Sequence, residues 1–186
     1  MMELPRQCDR MANMAKQYCD LIEECFVAAD KSNADWVVSL EKLLPRLHVA
    51  VTALSMPVDD GQRYCLYDDE QRCELFLRLN RALQGDQQIW SAYTGRMVAP
   101  RTRQQWCERM ADNLTDMYFD LKRGLDIVEE NPNHAAADWQ YSFYVHWGKH
   151  LLDAECWLHA VECGGEPVLL PEWRWPNASG LIANPA

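Results

Sequence analysis

A chain of 186 residues with 48% apolar side chains is long enough to bury one core without disulfide or metal staples. Its formal net charge of −10 repels phosphate backbones and anionic lipid, which argues against nucleic-acid and membrane-surface binding. No apolar run approaches the roughly 18 residues a membrane helix needs, and the N-terminal MMELPRQCDRM has no apolar signal core. A cytoplasmic location is therefore expected. The eight cysteines (Cys8, Cys19, Cys25, Cys65, Cys73, Cys107, Cys156 and Cys163) include no CxxC pair. Several fall in helical apolar patterns, where a reduced thiol packs as a small hydrophobe, so reduced cysteines are expected.

In chain order, Leu4, Cys8, Met11, Ala15, Tyr18, Ile22, Cys25 and Ala29 alternate spacings of four and three, the seam of a first helix. Met14, Leu21 and Ala28 widen it into a core-facing stripe. Ser32 with Asp35 marks the start of a second helix. Its stripe is Trp36, Leu40, Leu43, Leu47, Ala50 and Leu54, and Pro45 is expected to kink or split it. SMPVDDG, from Ser55 to Gly61, is a loop. A third helix begins near Asp68, with Cys73, Phe76, Leu77, Asn80 and Leu83 as its stripe, and ends near Gly85. Ile89, Trp90 and Tyr93 suggest a short helical turn. Thr102 and Gln105 look like the cap of a fourth helix, whose stripe is Trp106, Met110, Leu114, Met117, Leu121, Leu125 and Val128. Asn131-Pro132 fits the cap and first position of a fifth, which should run to Cys163 and stop at Gly164-Gly165.

The expected fold is thus all-α: one helical bundle of five main helices over residues 1–165, kinked near Pro45. The stretch 166–186, rich in proline and bearing Trp173 and Trp175, has no helical period. Two tryptophans are costly to leave in water, so this tail is expected to lie back across the bundle.

The fifth helix carries the one polar constellation. On a 3.6-residue wheel Trp139, Phe143, Trp157 and Val161 share a side, with His146 and His150 in its middle and Asp153 at its edge. Tyr141, Val145, Leu152 and Cys156 form a second apolar side, which predicts a central helix. Buried histidines need partners. The fourth helix offers Asp112, Asp116 and Asp120, spaced by four in a slowly drifting row, with Asp120 nearest the apolar stripe. At least one of the two histidines should bond an aspartate of this row, with Asp153 a further candidate. Three readings compete: structural His–Asp pairs that fix helix register, a metal site built from His146, His150, Asp116 and Asp120, and acid–base catalysis. The pattern lacks the Glu of H-E-x-x-H, the paired Glu-x-x-His of ferritin-like bundles, a G-x-S-x-G elbow and a P-loop. The sequons at Asn113 and Asn177 read as chance matches.

These residues also carry a resemblance. ADNLTDMYFDLKRGL (Ala111 to Leu125) and DWQYSFYVHWGKHLLDAECWLH (Asp138 to His159) resemble an uncharacterised bacterial family known as domain of unknown function 5063. Its pattern is an Asp-rich D-L-x-D-I-Y-x-D-L-K-x-G-L helix followed by W-x-x-x-F-x-x-H-W-G-x-H. Asp116, Tyr118, Asp120, Leu121, Lys122, Gly124 and Leu125 match the first part. Trp139, Phe143, His146, Trp147, Gly148 and His150 match the second, and KLLPRLHVA (Lys42 to Ala50) resembles the family's early Leu-Pro helix. The resemblance spans most of residues 10–160. It implies a helical fold and no particular activity. The leading functional reading is a non-catalytic binding or interaction protein with a protein or small-molecule partner. The alternative is a metal-dependent enzyme using the His/Asp cluster. No cofactor is predicted beyond a divalent metal under that alternative.

Overall fold

A computed structural model describes residues 4–25, 33–55, 69–85 and 100–162. Nearly all of them are helical, and no strand occurs among them. The elements are α1 (Leu4–Glu24), α2 (Asn33–Thr52), α3 (Asp69–Gly85), α4 (Pro100–Val128), α5 (Pro132–Ser142), a π-helical turn (Phe143–Trp147) and α6 (Gly148–Glu162). The last three are one rod, so five main helices are present as the periodicity predicts. Residues 56–61 of the predicted Ser55–Gly61 loop, the Ser32 start of the second helix, the turn near Trp90, the Gly164-Gly165 stop and the tail lie outside the described residues. No described helix is long and apolar enough to cross a membrane.

Helix α4 is the axis of the bundle, packing on α1, α3, α5 and α6, while α2 closes the far side against α1 and α6. Its stripe residues Trp106, Met110, Leu114, Met117 and Leu121 are buried, as is the α1 seam from Cys8 to Ile22. Several polar atoms brought inside are bonded across helices. Tyr18 donates its hydroxyl to the Leu114 carbonyl at 2.8 Å, and the Trp36 indole donates to the Leu21 carbonyl at 2.8 Å. Such bonds across helices fix axial register as well as satisfying the buried donors.

Several expectations need correction. Pro45 does not split α2, which runs continuously through it; Pro45 lies on the exposed side of the helix. The α3 stripe is Leu75, Leu79 and Leu83, while Cys73 is exposed and Leu77 is 52% exposed. Leucines at 75, 77, 79 and 83 allow two phases, and the one adopted turns Arg72 onto Asp112 and Asp116 of α4. Helix α4 starts at Pro100, ahead of Thr102, because proline's fixed φ suits a first helical position. The six described cysteines are all free, and burial pushes the Cys19 thiol up to about 12.

Between α4 and α5 the chain turns over Glu129–Asn131. The Asn131 side chain accepts from the His134 amide at 3.1 Å, and Pro132 takes the first helical position, as expected. This short connection makes α4 and α5 antiparallel neighbours. Gly124 of α4 lets them approach closely: a Cβ there would stand 2.0 Å from Trp139 Nε1. The Trp139 indole covers the glycine and donates to the Leu121 carbonyl at 3.1 Å.

The second apolar side expected on the last helix is not buried. Val145, Leu152 and Cys156 are exposed, and Trp147, Leu151, Ala154 and Leu158 are buried instead. The π turn accounts for this. It inserts one extra residue, which advances the buried face by one position, about 100° on the helix wheel.

Candidate metal centre

The Asp row of α4 meets the two histidines across the α4–α6 interface. Asp116, His146 and His150 each present one ligand atom, and these atoms lie within 4.8 Å of one another. His150 and Asp116 form the floor, each with only 10% of its side chain exposed, and His146 is the lip, with 45% exposed.

The hydrogen bonds around His150 determine where its proton sits. Arg109 grips the Asp153 carboxylate through Nε and Nη2, and the same carboxylate accepts from Asn113 Nδ2 at 2.7 Å. A carboxylate only accepts, so the Asn113 NH₂ must face it and Asn113 Oδ1 must face His150. Oδ1 lies 2.9 Å from His150 Nδ1, which therefore carries the proton. Burial lowers the pKa of His150, favouring the neutral ring with a lone pair on Nε2. That atom is 3.1 Å from Asp116 Oδ2 yet is buried without a hydrogen bond. A lone pair held this close to a carboxylate oxygen is repelled unless a proton or a metal cation lies between them.

His146 is oriented by a similar bond, but its titration moves the other way. Its Nδ1 lies 2.5 Å from Asp120 Oδ2, and this bond to a carboxylate, opposed by partial burial, raises its pKa. With Nδ1–H donated to Asp120, Nε2 is the ring atom that could hold a metal, after losing the proton that the raised pKa favours. Metal-bound histidines commonly donate their other ring N–H to a carboxylate or amide oxygen, which fixes tautomer and orientation.

The carboxylates are held in turn by arginines. Arg72 bonds Asp116 Oδ1 at 2.7 Å and Asp112 at 2.9 Å, and this leaves Asp116 Oδ2 for His150. Arg123 spans Asp120 and Asp138, each at 3.0 Å. Four carboxylates thus share two guanidinium groups, an excess of two negative charges beside two imidazoles. The ammonium of Lys149 acts on both rings and offsets part of it.

Of the six predicted residues, Asp116, His146 and His150 converge, and Asp120 holds His146. Asp112 is set back and reaches the cluster only through Arg72. Asp153 bonds Arg109 and Asn113 and touches the histidines only through Asn113. Reading the sequence missed Arg72, Arg109, Asn113, Arg123 and Asp138. Asn113 had a signal: Arg109, Asn113, Asp116 and Asp120 recur every three or four residues and so share a face of α4. Its burial and its bonds to Asp153 and His150 give the sequon asparagine a structural role.

The domain of unknown function family DUF5063 has a model that matches residues 3–163. The chain belongs to this family. The matched span includes Asp116, Asp120, His146 and His150 and the whole of the π turn. The crystal structure of protein BF1032 from Bacteroides fragilis is similar over 82% of this chain and 92% of that one, with a TM-score of 0.58 and 20% identity. That likeness shows a shared all-α fold. No curated protein matches the chain, and its function is unknown.

Proposed function

We propose that this DUF5063 protein is a divalent-cation-binding protein whose site is Asp116, His146 and His150. The observation that carries the reading is the buried His150 Nε2, 3.1 Å from Asp116 Oδ2 without a hydrogen bond. Two imidazole nitrogens and one carboxylate oxygen are a borderline ligand set that suits zinc and its first-row neighbours better than calcium or magnesium. Tetrahedral ligands at about 2.0–2.2 Å from a zinc ion stand roughly 3.4 Å apart. Asp116 and His150, 3.1 Å apart, are close to that spacing, and His146 lies within 4.8 Å of both, so a shift of the exposed ring closes the remainder. Three protein ligands leave at least one position for water or a further ligand, where the metal-dependent-enzyme alternative would operate. The geometry supports binding ahead of turnover.

Other features support placing this binding protein in the cytoplasm with a partner of its own. Its described cysteines are free, and Tyr144, Val145 and Leu152 expose apolar surface on the outer side of the last rod. The test is a zinc titration of chelator-stripped protein followed by melting. One equivalent should bind. At a free concentration of 100 times Kd it should stabilise by about 2.7 kcal/mol, raising Tm by about 5–10 °C. No bound equivalent and an unchanged Tm would leave the His–Asp pairs as structural contacts only.

A further inference from the structure

The π turn is the one irregular piece of backbone within the described helices, and it holds His146. Its closing hydrogen bond runs from the Gly148 amide back five residues to the Phe143 carbonyl. An α-helix would direct that amide to Tyr144. Without the turn, His146 and His150 would continue the Trp139–Ser142 face into the centre of the core, as the wheel predicts, and Trp147 would fall to its flank. With it, Trp147 is fully buried and donates its indole N–H to Ser142 Oγ at 3.0 Å. The histidines move to the rim of the core, where α4 presents Asp116 and Asp120. Their rings stand 5.2 Å apart, centre to centre.

What allows the turn is the missing side chain at position 148. A Cβ there would lie 2.4 Å from the Phe143 carbonyl oxygen and 3.1 Å from two atoms of the Phe143 ring. The first contact is with backbone, so no side-chain rotation relieves it. A residue larger than glycine must push away the carbonyl that closes the turn.

We propose that Gly148 is a positioning residue of the cation site: by admitting the Phe143 carbonyl it sustains the π turn, and the turn sets His146 as the third ligand. This rests on the cation reading above, but it also has a consequence in the metal-free protein. The full chain carrying Gly148→Ala should lose the His146–Asp120 contact and weaken the His150–Asn113 contact, because the turn sets the direction of both rings. Long-range ¹H–¹⁵N spectra of the histidine rings, recorded without metal, should show both rings protonated on Nδ1 in the wild type. In the variant the Asp120-bonded Nδ1–H signature of His146 should disappear, and that of His150 should shift. Zinc affinity should fall by at least the roughly 10–100-fold typical of groups that orient ligands.

Gly124→Ala is the steric control. Its clash is with the Trp139 ring, so it should lower stability and leave the His146 signals unchanged. If Gly148→Ala does not fold, the wild type still tests the turn through scalar coupling across its hydrogen bonds. Coupling from the Gly148 nitrogen to the Phe143 carbonyl carbon is expected, and coupling to Tyr144 instead would overturn the proposal. So would a folded Gly148→Ala protein with unchanged His146 signals or unchanged zinc affinity. If the wild type binds no zinc, the cation reading fails, while the ring spectra still decide whether Gly148 positions His146.

Discussion

Replacing Trp139 by alanine is expected to lower the unfolding free energy by about 3–5 kcal/mol, the usual cost of removing a fully buried tryptophan. Its indole fills the space over Gly124 and satisfies the Leu121 carbonyl, and no solvent reaches it. The backbones of α4 and α5 are held apart by that one ring, so truncation leaves a cavity at their closest approach. For a chain of this size the loss corresponds to a fall in Tm of roughly 6–20 °C. Denaturant titrations should show a lower midpoint with an unchanged slope. A loss under about 1 kcal/mol would mean that the interface collapses around the gap and does not depend on the ring. The rod that Trp139 seats on α4 continues into His146 and His150, so the variant should also bind zinc more weakly than the wild type.

His150→Ala is expected to reduce zinc affinity more than 100-fold, beyond the roughly 10–100-fold attached to groups that only orient a ligand. Asn113→Ala, which removes the acceptor holding His150 Nδ1–H, should fall within that smaller range. Competition against a chromophoric chelator measures both. In the absence of metal His150→Ala should still destabilise by about 1–3 kcal/mol, because Asn113 Oδ1 stays buried without its donor. A purely structural pair predicts that loss as well, but with no zinc binding to lose. Equal zinc affinity in wild type and His150→Ala would remove His150 from the site.

Helix existence was legible wherever apolar residues recur at helical spacing. The α1 seam, the α4 stripe and the Asn131-Pro132 start all follow from local chemistry. The phase of α3 was not, because its leucines fit two faces and the choice is made by Arg72, an ion pair with Asp116 spanning 44 residues. The rotation of the last helix was misread for a related reason. A regular wheel assumes an unbroken period, and the π turn adds one residue near its middle. The sequence held a trace of it in Trp147, a large aromatic that a regular wheel places off the core, followed directly by Gly148. In the site itself, the His pair and the Asp row were readable from i, i+4 spacing. The arginines that orient them were not, because Arg72 and Arg109 reach acids on other helices and arginines are ordinary on helix surfaces. Asn113 was hidden by its sequon.

We propose that a cation bridges Asp116, His146 and His150. Anomalous diffraction at the zinc absorption edge, from crystals of the full chain grown with one equivalent of zinc, tests it most directly. A peak within about 2.0–2.2 Å of an Asp116 carboxylate oxygen and of Nε2 on both His146 and His150 is predicted. A structure with no peak there, and with a direct hydrogen bond between His150 Nε2 and Asp116, would contradict it.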